Sequence, residues 1–72
     1  MTNFYFYIAD EACEPGERQR RVADILEIAE IAGVAPEVED FAGGATEIQV
    51  EIEDDNAALL FKLGVEKARN QW

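Results

Sequence analysis

The clearest periodic signal in the chain is Thr46 to Glu53, T-E-I-Q-V-E-I-E. Ile48, Val50 and Ile52 alternate with Glu47, Gln49, Glu51 and Glu53. Successive side chains of a strand point to opposite faces, so this stretch has one apolar and one acidic face. Asn3 to Ala9 alternates in the same way. Phe4, Phe6 and Ile8 fall on the side that should meet a core, and Asn3, Tyr5 and Tyr7 on the other. Aromatic residues at this density favour a strand. Glu37 to Ala42 reads as another extended run with imperfect alternation. It is joined to Thr46–Glu53 through Gly43-Gly44, the signature of a hairpin.

Two stretches carry the helical period instead. From Pro15 to Ala32, the residues Val22, Ile25, Leu26, Ala29 and Ala32 recur at spacings of three and four. Ile28 and Ile31 widen that apolar face. Pro15 suits a first helical turn, and Glu14 and Glu17 place negative charge at the positive end of the helix dipole. Gly33 fits the position just past the helix end, with Val34 as its hydrophobic contact. The second helix runs from Ala57 to Asn70, with N-cap choices in Asp54-Asp55-Asn56. Its core stripe is Ala57, Leu60, Phe61, Gly64, Val65 and Ala68, continued by Trp72. A glycine inside that stripe indicates close helix packing.

The resulting order is β-α-β-β-α over a single domain. It predicts an α+β fold of two layers, with two helices on one face of a three-stranded antiparallel sheet. This order resembles the ferredoxin-like plait, βαββαβ, without its last strand. The resemblance covers the whole chain as an element order and implies that the first strand pairs with the third and forms an exposed edge. A chain of 72 residues buries roughly 60% of its unfolded surface, so the core is thin and any site must be simple or shared with a partner.

Charge changes the picture. Sixteen acidic residues face six basic ones, with no histidine and a net charge of −10. The charge is also segregated, for no Lys or Arg occurs between Arg21 and Lys62. Such a surface disfavours direct binding to nucleic acid or an anionic membrane, both of which require cations. It favours basic partners, because complementary fields speed association. The alternative is that acidity serves solubility. No apolar run approaches bilayer length, and no basic region precedes the first apolar stretch, so the expectation is a cytoplasmic protein without a signal peptide.

Catalytic equipment is not visible. The absence of histidine removes the commonest general base and metal ligand. Thr2 and Thr46 have no evident activating base. The carboxylates read as exposed and mutually repelling, without the apolar pocket that tunes a catalytic acid. Asp54-Asp55-Asn56 lacks the alternating oxygens of a calcium loop and is better explained as a helix cap. Cys13, flanked by Glu11 and Glu14, is in a poor setting for a reactive thiolate and reads as a loop cysteine. No enzyme activity, cofactor or metal is expected. Arg18, Arg20 and Arg21 form the one basic cluster, balanced by Glu14, Glu17 and Asp24.

The register places Tyr5, Tyr7, Glu47, Gln49, Glu51 and Glu53 on the open sheet face. Glu37 and Glu39 join them if Val38 points inward. RNA-binding plaits carry aromatic and basic residues on this face. Here the aromatic part is present and the charge is reversed. Arg pairs with carboxylate and phosphate by the same bidentate geometry, so such a lattice can occupy a surface built for phosphates. The base-free span and the E-I-Q-V-E-I-E run resemble small acidic phage-encoded inhibitors of the anti-CRISPR and DNA-mimic kind. That resemblance implies a partner that normally binds nucleic acid and is blocked by occupancy. Two readings of other classes stand beside it. One is a structural or regulatory subunit that self-associates, possible as a homodimer, through the first strand or the first helix. The other is a ligand-binding regulatory domain, for which no residue selects a ligand.

Overall fold

A computed structural model describes all residues from Met1 to Trp72. The elements are β1 (Thr2–Ala9), a 3-10 turn (Asp10–Ala12), α1 (Glu17–Ala32), β2 (Glu37–Phe41), β3 (Ala45–Ile52) and α2 (Asp55–Arg69). The three strands form one antiparallel sheet in the order β1-β3-β2. The fold is therefore α+β with the predicted element order, consistent with a ferredoxin-like plait truncated before its last strand. No helix is long and apolar enough to cross a membrane.

β3 is the central strand, paired with β1 on one side and β2 on the other. Ile48, Val50 and Ile52 are buried, as are Phe6 and Ile8 of β1 on the same face. Both helices pack on this face, with Ile25 and Ala29 of α1 and Ala58, Phe61 and Val65 of α2 completing the core. Phe61 is fully buried and lies edge-on to two β1 rings, Phe4 at 4.9 Å and Phe6 at 6.1 Å. Aromatic pairs at these separations add to the area they remove from water.

The helix ends follow local chemistry. The Asp54 side chain accepts from the Asn56 amide and caps α2. Gly33 has φ of 74°, and the Val34 amide reaches back to the Ala29 carbonyl at 3.0 Å. This is a Schellman stop, with Val34 packed against the core. The start of α1 differs from expectation. The helix begins at Glu17, after Gly16 in a left-handed conformation, so Pro15 lies in the preceding turn and outside the first helical turn.

Two apolar positions also depart from the predicted stripes. Ile31 is 78% exposed and Leu60 is 61% exposed. The core line of α2 runs through Ala58, Phe61 and Val65, and Leu60 sits about 100° around the helix from Phe61. It joins Leu59 and Leu63 on the side turned away from the sheet. Trp72, by contrast, packs against the core as expected, and its Nε1–H donates to Asp24 Oδ2 at 3.0 Å.

Neither helix makes extensive contact with β2. Val38 points to the helix side, opposite Ile48, yet remains 44% exposed. What ties β2 down beyond its ladder to β3 is a polar cluster around Arg18. Arg18 Nε donates to Asp10 Oδ1 at 2.8 Å, and Nη1 donates to Thr46 Oγ1 at 2.6 Å. The Thr46 hydroxyl in turn donates to Asp40 Oδ1 at 2.8 Å. Thr46 is 1% exposed, the one buried polar residue of the core. Arg18 therefore does not balance Glu14 or Glu17 as the sequence suggested. Arg20 and Arg21, two and three residues beyond Arg18 on the same helix, do pair with Glu17.

Gly64 confirms the close approach predicted for it. A Cβ at this position would sit 2.6 Å from Ile28 Cγ2 of α1. Gly64→Ala should therefore destabilise by up to about 2 kcal/mol, overpacking outweighing the roughly 1 kcal/mol gained in helix propensity. In an Ile28→Ala background the clash is gone, and the same substitution should stabilise. Urea denaturation of the four proteins measures this sign reversal. Arg18→Met should cost roughly 2–3 kcal/mol, the range for charge-assisted hydrogen bonds. It should also speed amide exchange across Glu37–Phe41 more than across β1.

Candidate interaction face

The sheet face opposite the helices holds Tyr5, Tyr7, Glu37, Glu39, Glu47, Gln49 and Glu51 of the residues assigned to it from the sequence. Tyr5, Gln49 and Glu37 form one cross-strand row, and Tyr7, Glu47 and Glu39 form the next. Asn3 is opposite Glu51. Because Val38 pairs with Ile48 on the helix side, Glu37 and Glu39 turn to the open face, the condition on which their assignment depended. Glu53, also assigned to this face, follows the last residue of β3 and lies exposed beyond the end of the ladder.

This arrangement follows from alternation and twist-bearing pleat alone. Once Ile48, Val50 and Ile52 are buried, Glu47, Gln49 and Glu51 have no other side to occupy. Residues two apart in a strand are roughly 6.6 Å apart, and neighbouring strands about 4.8 Å apart. The carboxylates thus form a two-dimensional array with no Lys or Arg in any of its rows. Tyr5 and Tyr7 border it, 60% and 59% exposed.

The array is not made only of free, repelling carboxylates. Glu47 and Glu39 are directly opposite each other, an unfavourable like-charge pair. Glu47 is compensated by two donors. Tyr5 Oη donates to Glu47 Oε2 at 2.8 Å, and Gln49 Nε2 donates to Glu47 Oε1 at 2.8 Å. Glu47 is accordingly half-buried, while Glu37, Glu39, Glu51 and Glu53 are exposed. Four carboxylates are available to a partner; the fifth orders the tyrosine and the amide. Sequence alternation showed which residues share the face but gave no signal for this diagonal Tyr5–Glu47 bond, which depends on the strand register.

A shallow concavity of about 250 Å³ lies at one end of the face, bordered by Asn3, Tyr5, Glu37, Gln49 and Glu51. An aromatic wall and two carboxylates on the rim suit a cationic side chain. No cluster of three or more His, Cys, Asp or Glu is placed to hold a metal ion. Cys13 is half-buried against the core, and Asp54 serves as the α2 cap. Neither adds chemistry to the face.

No protein family, curated protein or solved structure was found to match this chain.

The Tyr5–Glu47 bond has a titration signature. Donation to Glu47 raises the Tyr5 pKa above its usual value of 10.0, with slight desolvation and the Glu47 charge adding in the same direction. A raised folded-state pKa favours the protonated phenol in the native state. The bond therefore contributes fully below about pH 10, and its contribution is lost as pH rises through the Tyr5 pKa. Ultraviolet titration should resolve one phenol ionising late. Glu47→Gln should bring that phenol back toward its ordinary value.

Proposed function

We propose that this protein is a non-enzymatic binding module whose acidic, tyrosine-bearing sheet face occupies a basic surface on another protein. The observation that carries the reading is the sidedness of the charge. Both helices cover one face of the sheet. The other presents Glu37, Glu39, Glu51 and Glu53 beside Tyr5 and Tyr7, with no cation among them. In a chain of net charge −10, that face is the natural contact for a surface rich in Arg and Lys.

The partner class is a protein that ordinarily binds nucleic acid. Such proteins place Arg and Lys at phosphate spacing, and guanidinium groups donate to carboxylate in the same bidentate geometry as to phosphate. The exposed tyrosines supply large, rigid contact area at low entropic cost, as aromatic anchors do at protein interfaces. The module acts as an inhibitor in the manner of the acidic phage proteins it resembles. It blocks a nucleic-acid site by occupying it and needs neither a cofactor nor a metal.

Affinity capture from the cells in which the protein acts, washed at low and at high salt, tests this reading. The expected outcome is one nucleic-acid-binding protein, released by salt. Combined Glu37→Gln, Glu51→Gln and Glu53→Gln substitutions should weaken that complex by tenfold or more, at about 0.5 kcal/mol or above for each rim charge. Recovery of no basic partner, or capture indifferent to both salt and these substitutions, overturns it.

A further inference from the structure

The two edges of the sheet are unlike. The β2 edge is five residues long and carries Glu37, Glu39 and Asp40. Charge of one sign along a short strand discourages edge-to-edge pairing. The β1 edge has eight residues, T-N-F-Y-F-Y-I-A, without a charge or a proline. Nothing on β1 discourages pairing, in a chain of which 31% is charged.

The outward backbone groups can be assigned. The Asp10 amide donates to the Gly44 carbonyl at 2.8 Å, on the continuation of the β1–β3 register. Along an antiparallel strand, alternate residues direct both N–H and C=O to the same neighbour. Ile8, Phe6, Phe4 and Thr2 therefore bond to β3, while Asn3, Tyr5, Tyr7 and Ala9 turn theirs away from it. A groove of about 300 Å³ runs beside Tyr5 to Ala9 and is walled on its far side by Cys13, Arg21, Arg69 and Trp72. It lies where the last strand of a complete plait would pair.

We infer that the β1 edge is a self-association site, and that its occupant is β1 of a second copy, running antiparallel. The strand is self-complementary in the register centred on Phe6. Tyr5 then meets Tyr7 of the second copy, and Asn3 meets Ala9 of the second copy, each an outward-facing residue against another. On the helix side Phe6 meets its own counterpart, and Phe4 meets Ile8 of the second copy. No like-charge pair arises on the paired strands. A β2–β2 junction would instead juxtapose Glu37, Glu39 and Asp40 with their own copies. The two three-stranded sheets become one of six strands. The open face then has four tyrosines at its centre and an acidic array on either side.

The charge of −10 on each copy opposes the association, so screening favours it. Dimerisation strengthens with salt, whereas the proposed complex with a basic target weakens. The two readings therefore fail independently.

Sedimentation velocity across a concentration and salt series, with amide hydrogen exchange on the unmodified protein, tests the inference. The expected result is a dimer that tightens with salt, with the Asn3, Tyr5, Tyr7 and Ala9 amides protected only when dimeric. Asn3→Pro removes an outward donor and spares the bonds to β3. It should weaken the dimer about tenfold, since the two-fold axis doubles each loss, with the circular dichroism spectrum retained. A monomer under all conditions overturns the inference. So does a dimer whose four amides exchange freely, or one that survives Asn3→Pro and is abolished by Leu59→Glu on the exposed side of α2.

Discussion

Beyond its ladder to β3, β2 is tied to the helix layer through one side chain. Hydrophobic packing holds β1 and β3 because α1 and α2 lie over them, but neither helix lays an extensive apolar contact on β2. Arg18 supplies the missing attachment. It stands at the start of α1, beside the end of β1 through Asp10, and reaches the β3–β2 pair through Thr46 and Asp40. Its guanidinium side chain is only 17% exposed. A shielded cation of this kind is tolerable because carboxylates and a hydroxyl surround it, and removing it leaves Asp10 and the Thr46 hydroxyl without that donor. In so small a domain, this cluster replaces the apolar cover that a longer helix would give.

The same economy shapes the open face. A thin core covers one side of the sheet only, so the polar alternates of all three strands come together on the other. Their number makes the face acidic, and their register makes it partly ordered. Glu47, opposed by Glu39, takes hydrogen bonds from Tyr5 and Gln49, and this fixes the tyrosine ring over the array. A partner would meet a surface in which one aromatic group is already positioned, which lowers the ordering cost of binding. The exposed carboxylates around it would supply the attraction to a basic partner.

The edges complete this picture. β2 is protected by its charges, and β1 by nothing on the strand itself. A self-paired β1 would enlarge the open face, joining two acidic arrays across a band of tyrosines. Surface recognition and self-association would then use different parts of the same sheet, one its side chains and the other its backbone.

Much of this was legible in the chain. Alternation in Thr46–Glu53 and Asn3–Ala9 determined which residues face the core and which face outward, because a strand has only two sides. Gly33 marked the end of α1, since a left-handed residue there costs least as glycine. Gly64 marked the helix–helix contact, since a hydrogen in place of a methyl permits an approach that a side chain forbids. The choice of ion-pair partner was not legible. Arg18 had acidic neighbours in sequence but found Asp10 and Asp40, because a long side chain reaches whatever the fold brings near. Leu60 fitted a helical stripe yet lies exposed, because a helix between two neighbours buries only the arc they cover. The sequence by itself determined the faces of each element, through periodicities intrinsic to helix and strand. Only the tertiary structure decided which arc of α2 is buried, which carboxylates Arg18 and Tyr5 engage, and which edge is left open, because each depends on distances between elements far apart in the chain.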